Sequence, residues 1–137
     1  MKVFSEKINY CLSAIFELAK NSYKGFVQIK EIAKAQKIPQ SYLEQLLVIL
    51  KKDNLVESQR GAQGGYRLKK PADQIKIIDL IEALERPIAI VDYSKNSEVL
   101  QSFWKKVEIK FKDLFATTIE ELVNEENLLH KRLFYQI

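Results

Sequence analysis

The sequence predicts a mainly α chain carrying one small β-hairpin, and three observations predict it. Apolar residues recur at spacings of three and four over most of the 137 residues. Alternation of apolar and polar positions is confined to two short runs, LVES and YRL. Between those runs, in RGAQGGYRL at 60–68, stand three of the chain's four glycines. The length suits one compact domain, or a small domain with an oligomerisation element. A hydrophobic content of 47% beside 29% charged residues allows a packed core.

The first predicted element is a helix over about 6–20, opened by Ser5, with Ile8, Leu12, Ile15, Phe16 and Ala19 on one face. Glu6, Lys7, Asn9 and Glu17 interrupt its apolar run, which excludes a secretion signal or a membrane span. Cys11, the single cysteine, lies beside the apolar face and reads as a small buried hydrophobe. A lone thiol allows no intrachain disulfide, which fits a cytoplasmic protein.

Tyr23-Lys24-Gly25 breaks this helix, Phe26–Ile29 is a candidate short strand, and Lys30–Gln36 reads as a short helix. Pro39 disfavours helix at Ile38 and enforces a turn. Ser41, with Glu44 three residues later, predicts a capping box. The helix that follows carries Leu43, Leu46, Leu47 and Leu50 on one face and ends near Asn54, a residue suited to the left-handed position after a helix. Two helices around a tight turn within roughly 25 residues have the spacing of a helix-turn-helix. Adding the basic hairpin gives a winged helix-turn-helix.

Pro71 ends the wing. Ile77, Ile78, Leu80, Ile81 and Leu84 then form a strongly apolar helix, which Pro87 stops. From Glu98 to about Phe115 runs the longest predicted helix, with Leu100, Phe103, Trp104, Val107, Phe111 and Leu114 in one wide stripe. That stripe has two readings, packing within its own domain or the seam of a homodimer. Its aromatic surface exceeds what an isolated helix could hide, which favours the seam. Thr117-Thr118 caps a short helix, IEELV, and the tail NEENLLHKRLFYQI adds a turn or two. The chain thus divides into a winged helix-turn-helix DNA-binding domain (1–86), a linker or effector loop (87–97), and a dimerisation helix with its tail (98–137).

Charge is uneven along the chain. Residues 24–70 hold ten Lys/Arg against four acids, whereas residues 87–137 hold seven against eight. A basic segment beside a near-neutral one points to a polyanion-binding half. RGAQGG is not a phosphate-binding P-loop, because no Gly-Lys-Ser/Thr follows it and it opens no helix. As a hairpin tip its glycines supply positive φ and close backbone approach, and Arg60 and Arg67 flank it. One cysteine and one histidine, His130, cannot build a Cys/His metal cage. With no catalytic constellation and no metal or cofactor site expected, an enzyme is the weakest reading.

SYLEQLL, LVESQRGAQGGYRL and IIDLIEAL closely resemble the IscR-like (Rrf-two) family of bacterial winged-helix transcription factors. The resemblance runs from about residue 1 to 123 and includes the place of Trp104 and the closing ELVN. It implies dimers joined through the long helix that bind operator DNA, usually as repressors. It places the recognition helix at 41–50 and the wing at 58–66, with DNA contacts at Ser41, Tyr42, Glu44, Gln45, Arg60, Gln63 and Gly64. Members that hold an iron–sulfur cluster place three cysteines after the apolar helix. Here that segment reads RPIAIVDYSKNSEVLQSF, with neither Cys nor His, and Asn9 stands where some members supply an aspartate. The chain therefore resembles the cluster-free members, which respond to a regulatory partner protein or a small effector.

The expected mechanism follows. Tyr42 and Gln45 reach base edges from the first turns of the helix in the major groove. Glu44 either closes the capping box or accepts from a cytosine amino group. Lys51, Lys52, Arg60 and Arg67 neutralise phosphates of double-stranded DNA. Gln63 either reads bases or only sits near them. The rival is a winged-helix protein–protein interaction module, which would show an apolar patch on the outward face of helix 41–52.

Overall fold

The computed structural model describes residues 1–86 and 88–136. In chain order its elements are α1 (Glu6–Lys20), α2 (Ile29–Gln36), α3 (Gln40–Lys52), β1 (Val56–Gln59), β2 (Gly65–Leu68), α4 (Ile77–Leu84), α5 (Glu98–Asp113) and α6 (Ile119–Gln136). Helix α1 is the hub, packing against α2, α3, α4, α6 and β2. Its buried face (Cys11, Ala14, Ile15, Leu18) shares one core with Ile32 of α2, all four leucines of α3's inner face, Leu80 of α4 and Ile119 of α6. The recurrence at three and four places these side chains on one stripe of each helix, and their burial is the main favourable term in folding.

Backbone chemistry sets the turns. Lys37, with φ 55, takes the left-handed region after α2, and the N–H of Ile38 reaches back to the carbonyl of Ala33. Asn54, with φ 61, does the same after α3. There the N–H groups of Asn54 and Leu55 donate to the carbonyls of Lys51 and Leu50, closing the helix while burying Leu50 against Leu55. The hairpin is antiparallel, with Val56 opposite Leu68, Glu57 opposite Arg67, Ser58 opposite Tyr66 and Gln59 opposite Gly65.

Several expectations change. The strand expected at Phe26–Ile29 shrinks to one residue, because Gln28 already opens α2. Val27 alone pairs, exchanging two 2.8 Å hydrogen bonds with Tyr66. Ser41 is not a cap. Pro39 occupies that position, α3 begins at Gln40, and the capping box with Glu44 does not form. Ser5 stands at the start of α1, but its hydroxyl makes no capping bond. The apolar helix ends at Leu84; Pro87, expected to stop it, lies outside the described residues.

The C-terminal region differs most. The expected short IEELV helix and loose tail form one 18-residue helix, longer than the 16-residue α5. Its start is a reciprocal capping box: Thr118 Oγ1 accepts from the N–H of Glu121, whose carboxylate accepts from the N–H of Thr118. No glycine or proline follows to stop it. Residues 115–119 also hydrogen-bond to residues 75–78, and Ile119 is fully buried in the same core as the inner faces of α1 and α3.

Candidate nucleic-acid interface

Helix α3 has two faces. Leu43, Leu46, Leu47 and Leu50 are buried, which leaves Gln40, Ser41, Glu44, Gln45, Val48, Lys51 and Lys52 on the outside. The wing is fixed to this helix and to α2. Lys51 Nζ donates to Ser58 Oγ of β1 at 2.7 Å, and Gln28 Nε2 donates to the carbonyl of Ala62 at the wing tip at 2.8 Å. The turn closes through the N–H of Gly64 and the carbonyl of Gly61, leaving Arg60 and Gln63 exposed.

The expected contact residues therefore fall into groups. Ser41, Glu44, Gln45, Lys52, Arg60 and Gln63 are exposed, and none of them is held by an ion pair or a side-chain hydrogen bond among the described residues. Lys51 is exposed but engaged with Ser58. Arg67 pairs with Glu57 directly across the hairpin and lies 4.3 Å above the ring of Phe26. Tyr42 is half-buried, its ring edge-to-face with Tyr10 of α1 at 5.7 Å. Gly64 is buried in its own turn. Sequence reasoning passed over Gln40 and Val48. Their signal was available: Val48 stands seven residues after Ser41 and three after Gln45, in line with the polar face.

The stripe on α5 is open. No α5 residue is buried; Leu100 and Phe103 are about half exposed, Leu114 is 72% exposed, and Trp104, Val107 and Phe111 are partly covered. Phe111 packs tilted against Phe4 and edge-on to Phe115, and Glu108 accepts from the hydroxyl of Tyr93 in the preceding loop. Ile88 and Ile90 of that loop line a cavity of about 310 Å³ with Phe4, Ile81, Glu85 and Phe111.

A helix-turn-helix whose second helix presents a polar strip, with a hairpin tied beside it, is the arrangement that DNA readers use. The comparisons agree. The family described as Rrf2, iron-dependent transcriptional regulator, matches residues 4–125. The chain belongs to the Rrf2 family. The HTH-type transcriptional regulator CymR of Bacillus subtilis is 36% identical over 126 residues, covering 90% of this chain and 91% of that one. The solved structure of CymR, the global cysteine regulator of B. subtilis, superposes with a TM-score of 0.82 at 35% identity, over 91% of this chain and 98% of that one. The structure of T. potens IscR gives a TM-score of 0.78, also at 35% identity, over 92% and 88%. This Rrf2 protein is accordingly a DNA-binding transcriptional regulator with a winged helix-turn-helix, and its family is one of regulators rather than enzymes. No helix among the described residues is long and apolar enough to cross a membrane.

Among the described residues no donor set fits the iron in the family's description. The loop before α5 contributes no thiol or imidazole, and Cys11 is buried in α1, where burial pushes its thiol up to about 12. Among the described residues, no three His, Cys, Asp or Glu side chains gather as a metal site.

Proposed function

We propose that this regulator binds operator DNA as a homodimer, lays α3 in the major groove of each half-site, sets the wing against flanking phosphates, and represses transcription in the cytoplasm without an iron–sulfur cluster. The observation that carries the reading is the outward strip of α3: Gln40, Ser41, Glu44, Gln45 and Lys52 are solvated, and their hydrogen-bonding groups match the donor and acceptor code of the major groove. Gln45 can read adenine, and Glu44 a cytosine amino group. Arg60 and Lys52 supply phosphate contacts, Gln63 lies at the tip, and Gly64 shapes the turn that presents it. The open stripe of α5 supports the homodimer, because Leu100, Phe103 and Leu114 leave apolar surface that a second copy would cover. The repressor sign rests on the family resemblance. The loop before α5, with its apolar cavity, is where a small effector or a regulatory partner protein would act.

The test is recovery of genomic fragments bound by the full chain, with sedimentation of the same protein. Two half-sites about one helical turn apart are expected, with a dimer that Phe103→Glu splits while the melting of the protomer holds. Unpaired sites together with a monomer would overturn the homodimer. A reporter that rises when the gene is deleted supports repression, and one that falls refutes it.

A further inference from the structure

Val48 is the one large apolar side chain exposed on α3, at 48%, in a row otherwise made of Ser41, Glu44, Gln45 and the two lysines. Neither packing nor helix formation accounts for it. The core face of α3 is already filled by its four leucines. A β-branched residue is also a poorer helix former than the glutamine, glutamate and lysine around it. Its position is what is unusual. Ser41, Gln45, Val48 and Lys52 follow one line along the helix, and Val48 lies about 4.5 Å beyond Gln45 along the axis. That advance is close to the rise of about 3.4 Å between neighbouring bases. In the major groove only one feature of the base edges is apolar, the C5-methyl group of thymine.

We propose that Val48 reads a thymine methyl at the base pair next to the one met by Gln45, and so sets part of the operator sequence. This rests on the placement of α3 in the major groove proposed above. The isopropyl group would cover the methyl and exclude water from it. A cytosine at that place would offer an amino group to an apolar partner and leave its hydrogen bond unmade.

The experiment selects duplexes from a random pool with the full-length protein, then measures affinity by anisotropy on the enriched site and on copies in which single thymines are replaced by deoxyuridine. Deoxyuridine differs from thymidine only by the missing methyl. One thymine per half-site is expected whose methyl, when removed, weakens binding about four-fold, the worth of one buried methylene-sized group. Val48→Ser, which removes the contact from both half-sites of the homodimer, should bind the parent site about sixteen-fold more weakly, the square of the single-methyl effect, and no longer distinguish deoxyuridine from thymidine there. Its unchanged melting curve would show that folding is not the cause. If no deoxyuridine weakens the wild type, or each weakens wild type and Val48→Ser alike, the assignment of Val48 is wrong while α3 still reads DNA. If the pool yields no enriched duplex, the placement of α3 itself falls, and the role of Val48 with it.

Discussion

A β-carbon on Gly65 would lie 2.2 Å from the carbonyl oxygen of Val27, far inside contact distance. The same carbonyl accepts the N–H of Tyr66 at 2.8 Å, so the wing meets the segment leading into α2 backbone to backbone. Gly64 is equally confined, with its missing β-carbon 2.1 Å from the Gln59 carbonyl. Gly61, by contrast, has φ +106 and open space around it. The glycine cluster is thus explained by the wing's own construction, before any contact with DNA.

Gly65→Ala should therefore be more harmful than Gly61→Ala. Both place a side chain at positive φ, a strain of about 1–3 kcal/mol, but only Gly65 adds a clash with rigid backbone. Thermal melting would rank them, and the Gly65 variant should also lose DNA affinity as the wing shifts. Equal losses would mean that close approach to Val27 is not what selects glycine.

Thr118 caps its helix as expected, whereas of the two roles open to Glu44 the capping one does not form. Glu44 caps nothing, since α3 starts at Gln40 and Glu44 is exposed. Glu44→Ala should leave stability within about 0.5 kcal/mol, as for an ordinary surface site, while changing the preferred operator. Thr118→Ala should lower stability by about 1 kcal/mol by removing a true cap. A destabilised Glu44 variant with unchanged sequence preference would refute the assignment to base reading.

What was legible was local. The helix pair, its leucine face, the hairpin and the left-handed Asn54 all follow from spacing and turn chemistry within a few residues. What was not legible depends on partners distant in the chain. Tyr42 turns to Tyr10, Arg67 is taken up by Glu57 and Phe26, and the first turns of α6 are held by Ile119, Leu122 and Val123 packing at the core. Pattern alone could not separate Ser41 from Gln40 as the start of α3, because Pro39 makes both starts possible. The α5 stripe stays open within the protomer, with Leu100 and Phe103 about half exposed, and the second copy proposed above would cover it.

Acid should loosen the seam between α1 and α6. Glu17 accepts from Gln36 and Asn21 at 2.8 and 2.7 Å and lies 3.4 Å from Lys20, which also meets Glu126 of α6 at 3.2 Å. Burial alone would raise the pKa of Glu17, but the hydrogen bonds and the lysine outweigh it and hold the carboxyl below its ordinary value. A depressed folded-state pKa gives stability that is present above the unfolded value and lost as pH falls through the folded one. The melting temperature should therefore fall on acidification below the ordinary glutamate range. Glu17→Gln should be less stable at neutral pH and show a shallower acid decline; an identical decline would place the acid sensitivity elsewhere.

The basic residues should separate into two kinds. Lys52 and Arg60 are exposed and make no ion pair among the described residues, so each is available to a phosphate. In a homodimer each acts twice, and each alanine substitution should flatten the slope of log affinity against log salt by about 1.8, at about 0.9 per phosphate contact. Neither should alter melting. Arg67 already holds Glu57 and covers the ring of Phe26, with its side chain 48% exposed. Arg67→Ala should lower stability by about 1 kcal/mol, combining a partly exposed ion pair with a cation–π contact. Its effect on the salt slope should be smaller, because the charge is largely answered by Glu57. Affinity measured over a salt series, beside melting curves for the three variants, checks this ordering. An Arg67 variant with the largest slope change and unaltered melting would show that the arginine leaves Glu57 for the DNA.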